Sequence, residues 1–308
     1  MTTVALMYHR VVPRRSDTEC YFARGTAVEP ETFRTQIEWL ASQFNPVTPS
    51  EWWTNRTDRS NVILTVDDGY HDVIDYVGPI CQTAGIPFAV YPIAGHTAEA
   101  SNACWIDIWY DIVQRSHWRP DLAAVLSEEF SFVQPPSPKQ DMSWWVKGPI
   151  KELLRNAGSK RDGLLARLAA LLDTPVDREL SSKLYCSRQD LTQLVANGIE
   201  VGGHGWKHRS LATITEGERQ KEISEARNLL DTIKAPEPRS FCYPNGSCND
   251  DVEIQVAAGG FSTAFTVEPG FIEPGCNPYR LPRFMVHNRP ADDPEWCAAF
   301  HQSTKELL

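Results

Sequence analysis

The chain has 308 residues, with 30 Lys and Arg against 40 Asp and Glu, and a formal net charge of −10. That length can bury a large core and suits one barrel-like domain with an insertion, or two domains. The acidic balance, with no basic tract, argues against nucleic acid as a partner, and no apolar run reaches membrane-spanning length. Eight cysteines are scattered without a Cys-x-x-Cys pair. A chain this long has no need of disulfide staples, so reduced thiols are expected. Met1-Thr2-Thr3-Val4 enters a strand pattern at once, with no basic n-region or long apolar segment. The expectation is a cytoplasmic protein without a signal peptide, and with it a small or activated substrate rather than finished extracellular polymer.

In chain order, Val4 to Tyr8 reads as a first strand with His9 at its C-terminal end. Residues 30–43 carry Pro30 in a first-turn position and apolar residues at 33, 37 and 40, which predicts a helix. A short helix capped by Ser50 is expected at Pro49 to Trp53. The apolar run Asn61-Val62-Ile63-Leu64 predicts a buried strand leading into Thr65-Val66-Asp67-Asp68-Gly69, followed by a helix over 72–84 closed by Gly85 and a strand Pro87 to Tyr91. This alternation indicates a parallel sheet or barrel, whose sites form at the C-terminal ends of the strands.

From about 95 to 183 the rhythm changes. Trp105 to Val113 has helical spacing, Pro135-Pro136-Ser137-Pro138 predicts a stiff loop, and 148–172 predicts another helix. This region holds five of the ten tryptophans (Trp105, Trp109, Trp118, Trp144 and Trp145), which either stack on sugar rings or pack the region's own core. Lys151, Arg155, Lys160, Arg161 and Arg167 either touch phosphates of a nucleotide-linked or lipid-linked substrate or form a solvated helix face. Apolar faces here could serve a homodimer as readily as a lid. The alternation resumes with a helix over 187–197, a strand Gly198 to Val201, a helix over 216–233, a strand 239–243, a helix over 250–258, strands at 262–265 and 283–286, and a closing helix over 294–306. That makes seven or so strands, without internal repeats or low-complexity tracts.

Two stretches carry chemistry. Asp67 and Asp68 are adjacent carboxylates where a strand opens into a loop, an arrangement that calls for a metal, a shared proton or both. Val201-Gly202-Gly203-His204-Gly205-Trp206-Lys207-His208 places two histidines four apart, on one face if the segment winds into a helical turn. Either aspartate with His204 and His208 makes two histidines and one carboxylate, the ligand pattern of hydrolytic zinc and open-coordination iron sites. The other aspartate is then free to act as a base, and the residues alone do not order the two.

Thr65-Val66-Asp67-Asp68-Gly69 resembles the first motif of the polysaccharide deacetylase family, carbohydrate esterase family 4, and His204-Gly205-Trp206-Lys207-His208 resembles its metal-binding second motif. Leu6 to Val11, Phe241-Cys242-Tyr243-Pro244-Asn245-Gly246, Ala264 to Gly270 and Leu281-Pro282-Arg283 resemble the branch that includes poly-N-acetylglucosamine deacetylases. The likeness covers roughly residues 3–95 and 184–300. It implies an incomplete (β/α)7 barrel formed by residues 1–95 and 184–308, with the mostly helical insertion 96–183 at the barrel mouth. It also implies a metal-dependent amide hydrolase acting on the N-acetyl group of an amino sugar, free, nucleotide-linked or lipid-linked. Asp67 becomes the base, and Asp68, His204 and His208 the ligands of a divalent metal, Zn with Co or Ni as alternatives. His9 becomes the acid that protonates the leaving amine, with His287 as competitor.

The resemblance further suggests an oxyanion or substrate contact from Asn245 and Tyr243. Three positions depart from the family pattern: Cys242 stands where many members have a base-orienting arginine, a role open to Arg283; Gly205 replaces the usual Ser or Thr; and Asn245 replaces the usual Tyr. An N-deformylase acting on a small amino sugar in biosynthesis is the alternative within the same chemistry. A non-catalytic sugar-binding barrel is the alternative outside it.

Overall fold

The structure, a computed structural model, describes residues 3–55, 60–97, 99–100, 102–130, 135–293 and 296. Seven parallel strands organise it: β1 (Thr3–Tyr8), β2 (Asn61–Asp68), β3 (Ala89–Pro92), β4 (Glu200–Val201), β5 (Ser240–Cys242), β6 (Thr263–Phe265) and β7 (Phe284–Met285). β1 pairs with β2 from Thr3 opposite Asn61 to Tyr8 opposite Val66, and with β7 through Leu6 opposite Phe284. β2 pairs with β3, β3 with β4, and β5 with β6. Parallel bridges from Gly203 to Phe241 and from Phe265 to Leu281 close the remaining gaps. The pairings therefore run round a ring, and the α/β barrel-type fold implied by the motifs is the one observed.

Strand parity divides the packing. Val4, Leu6 and Tyr8 of β1 and Val62, Leu64 and Val66 of β2 join the layer that packs against Phe33, Ile37 and Leu40 of the helix Pro30–Gln43. The alternate set, Ala5, Ile63, Ala89, Tyr91, Cys242, Phe265 and Leu281, forms a separate inner cluster. Thr65 and Asp67 have the inner parity of Ile63.

The helices between the strands follow the expected signals, with three corrections. The short helix Pro49–Thr54 is capped by Thr48, not Ser50: Thr48 completes a capping box with Glu51, and Pro49 takes the first helical position. The stretch after β2 begins as a π-type turn, Val73–Val77, before the helix Gly78–Ala84 ends on left-handed Gly85. Residues 148–172 form two helices, Pro149–Asn156 and Arg161–Leu171, separated by a 3-10 turn at Gly158–Lys160. The helices Arg188–Ala196 and Glu216–Thr232 start on capping boxes at Ser187 and Thr215. The closing helix expected over 294–306 falls, apart from helical Trp296, outside the described residues.

Between β3 and β4 lie the helices Trp105–Arg115, Pro120–Phe130, Met142–Lys147, Pro149–Asn156, Arg161–Leu171 and Leu180–Leu184. They share a second core around Trp109, Trp145, Leu126, Ile150, Leu154 and Leu168. Trp109 and Trp145 are fully buried; the Trp109 indole N–H donates to the Trp145 carbonyl at 3.0 Å and that of Trp145 to Pro136 at 2.9 Å. Each contributes about 4 to 6 kcal/mol of burial as an upper figure. These two are core residues, closed to sugar stacking.

Candidate functional site

His9, Asp67, Asp68, His204 and Asn245 all lie at or just beyond the C-terminal ends of ring strands, as the fold class requires. Asp67 lies inside the ring, 2% exposed. Arg283, fully buried, grips it with two parallel bonds of 2.8 Å from Nη1 and Nη2, a bidentate geometry that also sets the carboxylate's plane. The same guanidinium donates to Thr65 Oγ1 at 2.8 Å and to the Thr266 carbonyl at 2.9 Å, which fixes its own orientation. Burial alone would raise the Asp67 pKa, but the charge and hydrogen bonds of Arg283, with the nearby histidines, hold it below the ordinary carboxylate value.

Asp68 points elsewhere because its backbone turns. It adopts φ 73°, in the left-handed region, and Gly69 follows at φ 74°. A Cβ on Gly69 would come within 2.7 Å of Pro92, so only glycine passes there. The turn brings Asp68 Oδ1 to 3.4 Å from His204 Nε2 and 3.6 Å from His208 Nε2. His208 is itself left-handed, at φ 54°. Such conformations cost about 1 to 3 kcal/mol each and persist where the surroundings impose them.

The two histidines do not share a helical turn, as their spacing suggested. Residues 202–209 form an irregular loop tied at several points. The Gly202 and Gly203 amides donate to Val90 and Ser240. A Cβ on Gly202 would stand 2.4 Å from the Tyr91 ring. The His204 Nδ1–H donates to the Cys242 carbonyl at 2.8 Å, leaving Nε2 free to ligate. The Glu222 carboxylate accepts from the amides of Trp206 and Lys207, both at 2.8 Å.

Asp68, His204 and His208 offer three donor atoms within 4.8 Å of one another. Two ligands about 2.1 Å from a tetrahedral Zn stand roughly 3.4 Å apart, close to the spacings seen here. The buried Asp68 Oδ1 has no hydrogen-bond partner among the described residues, a costly state that a cation would relieve. The set therefore fits a divalent metal. Burial and the imidazole of His204 act on Asp68 in opposite directions, with the histidines prevailing to lower its pKa, while burial pushes His208 down to about 4. Ligation needs all three groups unprotonated: the shifts of Asp68 and His208 favour this at neutral pH, whereas the charges of Asp67 and Asp68 outweigh burial and raise the His204 pKa.

His9 feels Asp68, Asp67, Arg283 and His204, and burial lowers its pKa on balance. His287 lies elsewhere: its Nδ1 meets the Gly25 carbonyl at 3.2 Å. Asn245 adopts φ 55° in the turn Pro244–Gly246, and its side-chain amide donates to Ser210 Oγ, two residues beyond His208, at 3.3 Å. The Tyr243 side chain is not at the site. It is buried, its hydroxyl donates to the Tyr279 carbonyl, and its main-chain N–H is taken by the Phe265 carbonyl at 3.1 Å, so Tyr243 offers the site no donor.

Sequence reasoning missed several supports. Glu222 carries no motif. Asp107, 1% exposed, accepts the hydroxyls of Tyr21, Tyr70 and Tyr185 and thereby anchors the loop that follows Asp68. Arg10 stacks on Tyr21 and Tyr70 and pairs with Asp72 at 2.8 Å. The position of Tyr70 directly after the Asp-Asp-Gly turn was the available signal.

A family model described as polysaccharide deacetylase matches residues 166–264. Among curated proteins, YxkH of Bacillus subtilis, which carries the polysaccharide deacetylase name, is 22% identical over 111 residues, 36% of this chain and 40% of its own. The peptidoglycan-N-acetylmuramic acid deacetylase PdaC of the same organism is 27% identical over 77 residues, 25% of this chain and 16% of its own. The matches thus span well under two thirds of either relative. Among solved structures, the Streptococcus pyogenes deacetylase PplD in complex with acetate aligns with a TM-score of 0.60 and 15% identity, over 97% of both chains. IcaB from Ammonifex degensii aligns at 0.59 and 18% identity, over 98% of this chain and 97% of its own. Motifs and family model point the same way: residues 166–264 match the polysaccharide deacetylase model, and the chain is similar in sequence and fold to proteins of that name.

Proposed function

We propose that this chain is a metal-dependent amide hydrolase that removes the N-acetyl group of an amino sugar. The observation that carries the reading is the pair of neighbouring carboxylates held in different states: Asp67 clamped by Arg283 inside the ring, and Asp68 turned out against two histidines. One carboxylate is set to move a proton and the other to bind a cation.

A divalent metal held by Asp68, His204 and His208 would supply a Lewis acid for the acetyl carbonyl and lower the pKa of water; two imidazoles and one carboxylate suit Zn, with Co or Ni as alternatives. Asp67 takes the proton from the attacking water. Arg283 keeps it ionised and aimed, so the base stays available down to low pH. The Asn245 main-chain N–H, in a turn tied to Ser210 just beyond the histidine loop, would donate to the oxyanion. His9 gives a proton to the departing amine. Its lowered pKa makes the imidazolium a stronger acid, at the cost of lower occupancy near neutral pH.

No helix among the described residues is long and apolar enough to cross a membrane. An assay of acid release from N-acetylated and N-formylated amino sugars, free and nucleotide-linked, tests the reading. Acetate release is the expected result. Formate release alone would move the activity to deformylation, and binding without release under any added metal would overturn hydrolysis.

A further inference from the structure

β3 ends at Pro92, and the residues that follow form a turn closed by the His96 N–H on the Ile93 carbonyl at 2.9 Å. That turn is bonded to both segments that supply the metal-binding set. The Ile93 amide donates to the Asp68 carbonyl at 3.5 Å, the Ala94 amide to that of Gly205 at 3.0 Å and the Gly95 amide to that of Trp206 at 2.7 Å. Gly205 and Trp206 lie between His204 and His208. A Cβ on Gly95 would stand 2.4 Å from the Trp206 carbonyl, so only glycine allows the two segments to approach this closely. His96 therefore stands one residue from a backbone bond to the histidine loop, at the C-terminal end of a ring strand, where the sites of such folds form.

The His96 ring is held at two points. Its Nδ1 lies 2.8 Å from the Asn102 carbonyl, which can only accept, so Nδ1 carries the hydrogen. Its face stacks on Tyr185, with centroids 6.3 Å apart and planes at 29°. Tyr185 stacks in turn on Tyr70 at 5.3 Å, and both hydroxyls end on Asp107. Tyr70 and Tyr185 are 3% and 1% exposed, whereas His96 is half-buried, so His96 is the member of the stack that reaches solvent. Burial lowers its pKa, and the ring is uncharged at neutral pH, with Nε2 as an acceptor. Nε2 meets no hydrogen-bond donor among the described residues.

The stack and the Asn102 bond use one face and one nitrogen. The second nitrogen is a fixed, neutral acceptor on a turn bonded to both metal-binding segments. Such an acceptor has nothing to give a phosphate or carboxylate oxygen and suits a hydroxyl. We propose that His96 Nε2 accepts a hydrogen bond from one hydroxyl of the amino-sugar substrate and thereby selects for it. The proposal rests on the amide-hydrolase reading and names what that site recognises beside the acetamide: a hydroxyl, not a charged substituent.

The test compares wild type, His96→Asn and His96→Gln on N-acetylglucosamine and on analogues that each lack one hydroxyl. Acetate release gives kcat and KM, and metal content is measured for each protein. Asparagine keeps a donor near the place of Nδ1 and removes Nε2; glutamine returns an acceptor oxygen at about the reach of Nε2. His96→Asn should retain metal, keep kcat within roughly twofold and raise KM about 2- to 10-fold, the worth of one neutral hydrogen bond. One deoxy sugar should cost wild type that same factor and cost His96→Asn nothing further, and His96→Gln should recover part of the loss.

A ring that only braces the turn would leave the preferences among the deoxy sugars the same in wild type and variant, and that result would overturn the proposal. An unchanged KM, or loss of metal from His96→Asn, would overturn it as well. Absence of release from every sugar would count against the hydrolase instead. Calorimetric affinities of the same sugars for the same proteins then decide the contact: a single hydroxyl whose removal weakens wild type but not His96→Asn upholds it, and equal affinities overturn it.

Discussion

Asp67 and Asp68 are neighbours in the chain but are held in opposite environments. The outcome expected from this is a split between metal retention and turnover. Asp68→Ala, His204→Ala and His208→Ala should each lose both bound metal and activity. Asp67→Asn should keep metal and lower kcat by about 10²- to 10⁴-fold, as read by metal analysis beside an acetate assay. Arg283 gives a second test. Burial raises the Asp67 pKa and Arg283 reverses it, so Arg283→Met should move the acid limb of kcat/KM to higher pH. It should also cost about 3 to 5 kcal/mol of stability, because a buried carboxylate is left unpaired. A pH–rate profile with an unmoved acid limb would remove Arg283 from this role. The sequence made both aspartates and both histidines visible as a ligand-and-base set, but not their order. That order comes from the left-handed turn at Asp68 and from a partner 216 residues away, neither of which leaves a local pattern.

The histidine loop shows the same limit one level up. Spacing alone suggested a helical turn, yet His204 and His208 meet through an irregular segment held by Glu222 from the helix Glu216–Thr232. Glu222→Gln weakens the acceptor of two amides, so metal affinity should fall about 10- to 100-fold while far-UV circular dichroism stays unchanged. Metal affinity equal to wild type would show that the loop holds its shape without Glu222. Most strands and helices were legible because their signals are local: continuous apolar runs for β1 and β2, and Pro30 with apolar residues at 33, 37 and 40 for the helix Pro30–Gln43. Arg161–Leu171 was merged with its predecessor because Gly158 and Lys160 interrupt the hydrophobic pattern only briefly.

Across the whole molecule, Asp107 joins the helical region between β3 and β4 to the loop after Asp68. Burial raises its pKa to about 6, against the opposing effect of the tyrosine hydroxyls. A carboxyl whose folded pKa is raised contributes stability below its unfolded value, and that contribution is lost as pH rises through the folded value. The stability difference between wild type and Asp107→Asn should therefore shrink between about pH 4 and pH 6, by up to about 3 kcal/mol at roughly 1.4 kcal/mol per unit. Chemical denaturation across that range measures it. A difference independent of pH would mean that Asp107 does not titrate in this window. Such a hub could not be read from the sequence, since its members are 37 to 86 residues from Asp107.

The central claim is that Asp68, His204 and His208 hold a metal on which amide hydrolysis depends. Metal analysis of purified protein, before and after chelator treatment and coupled to acetate release, tests it most directly. One equivalent of divalent metal per chain, with activity lost on stripping and restored on adding Zn, Co or Ni, is the expected result. Full activity in metal-free protein would contradict it.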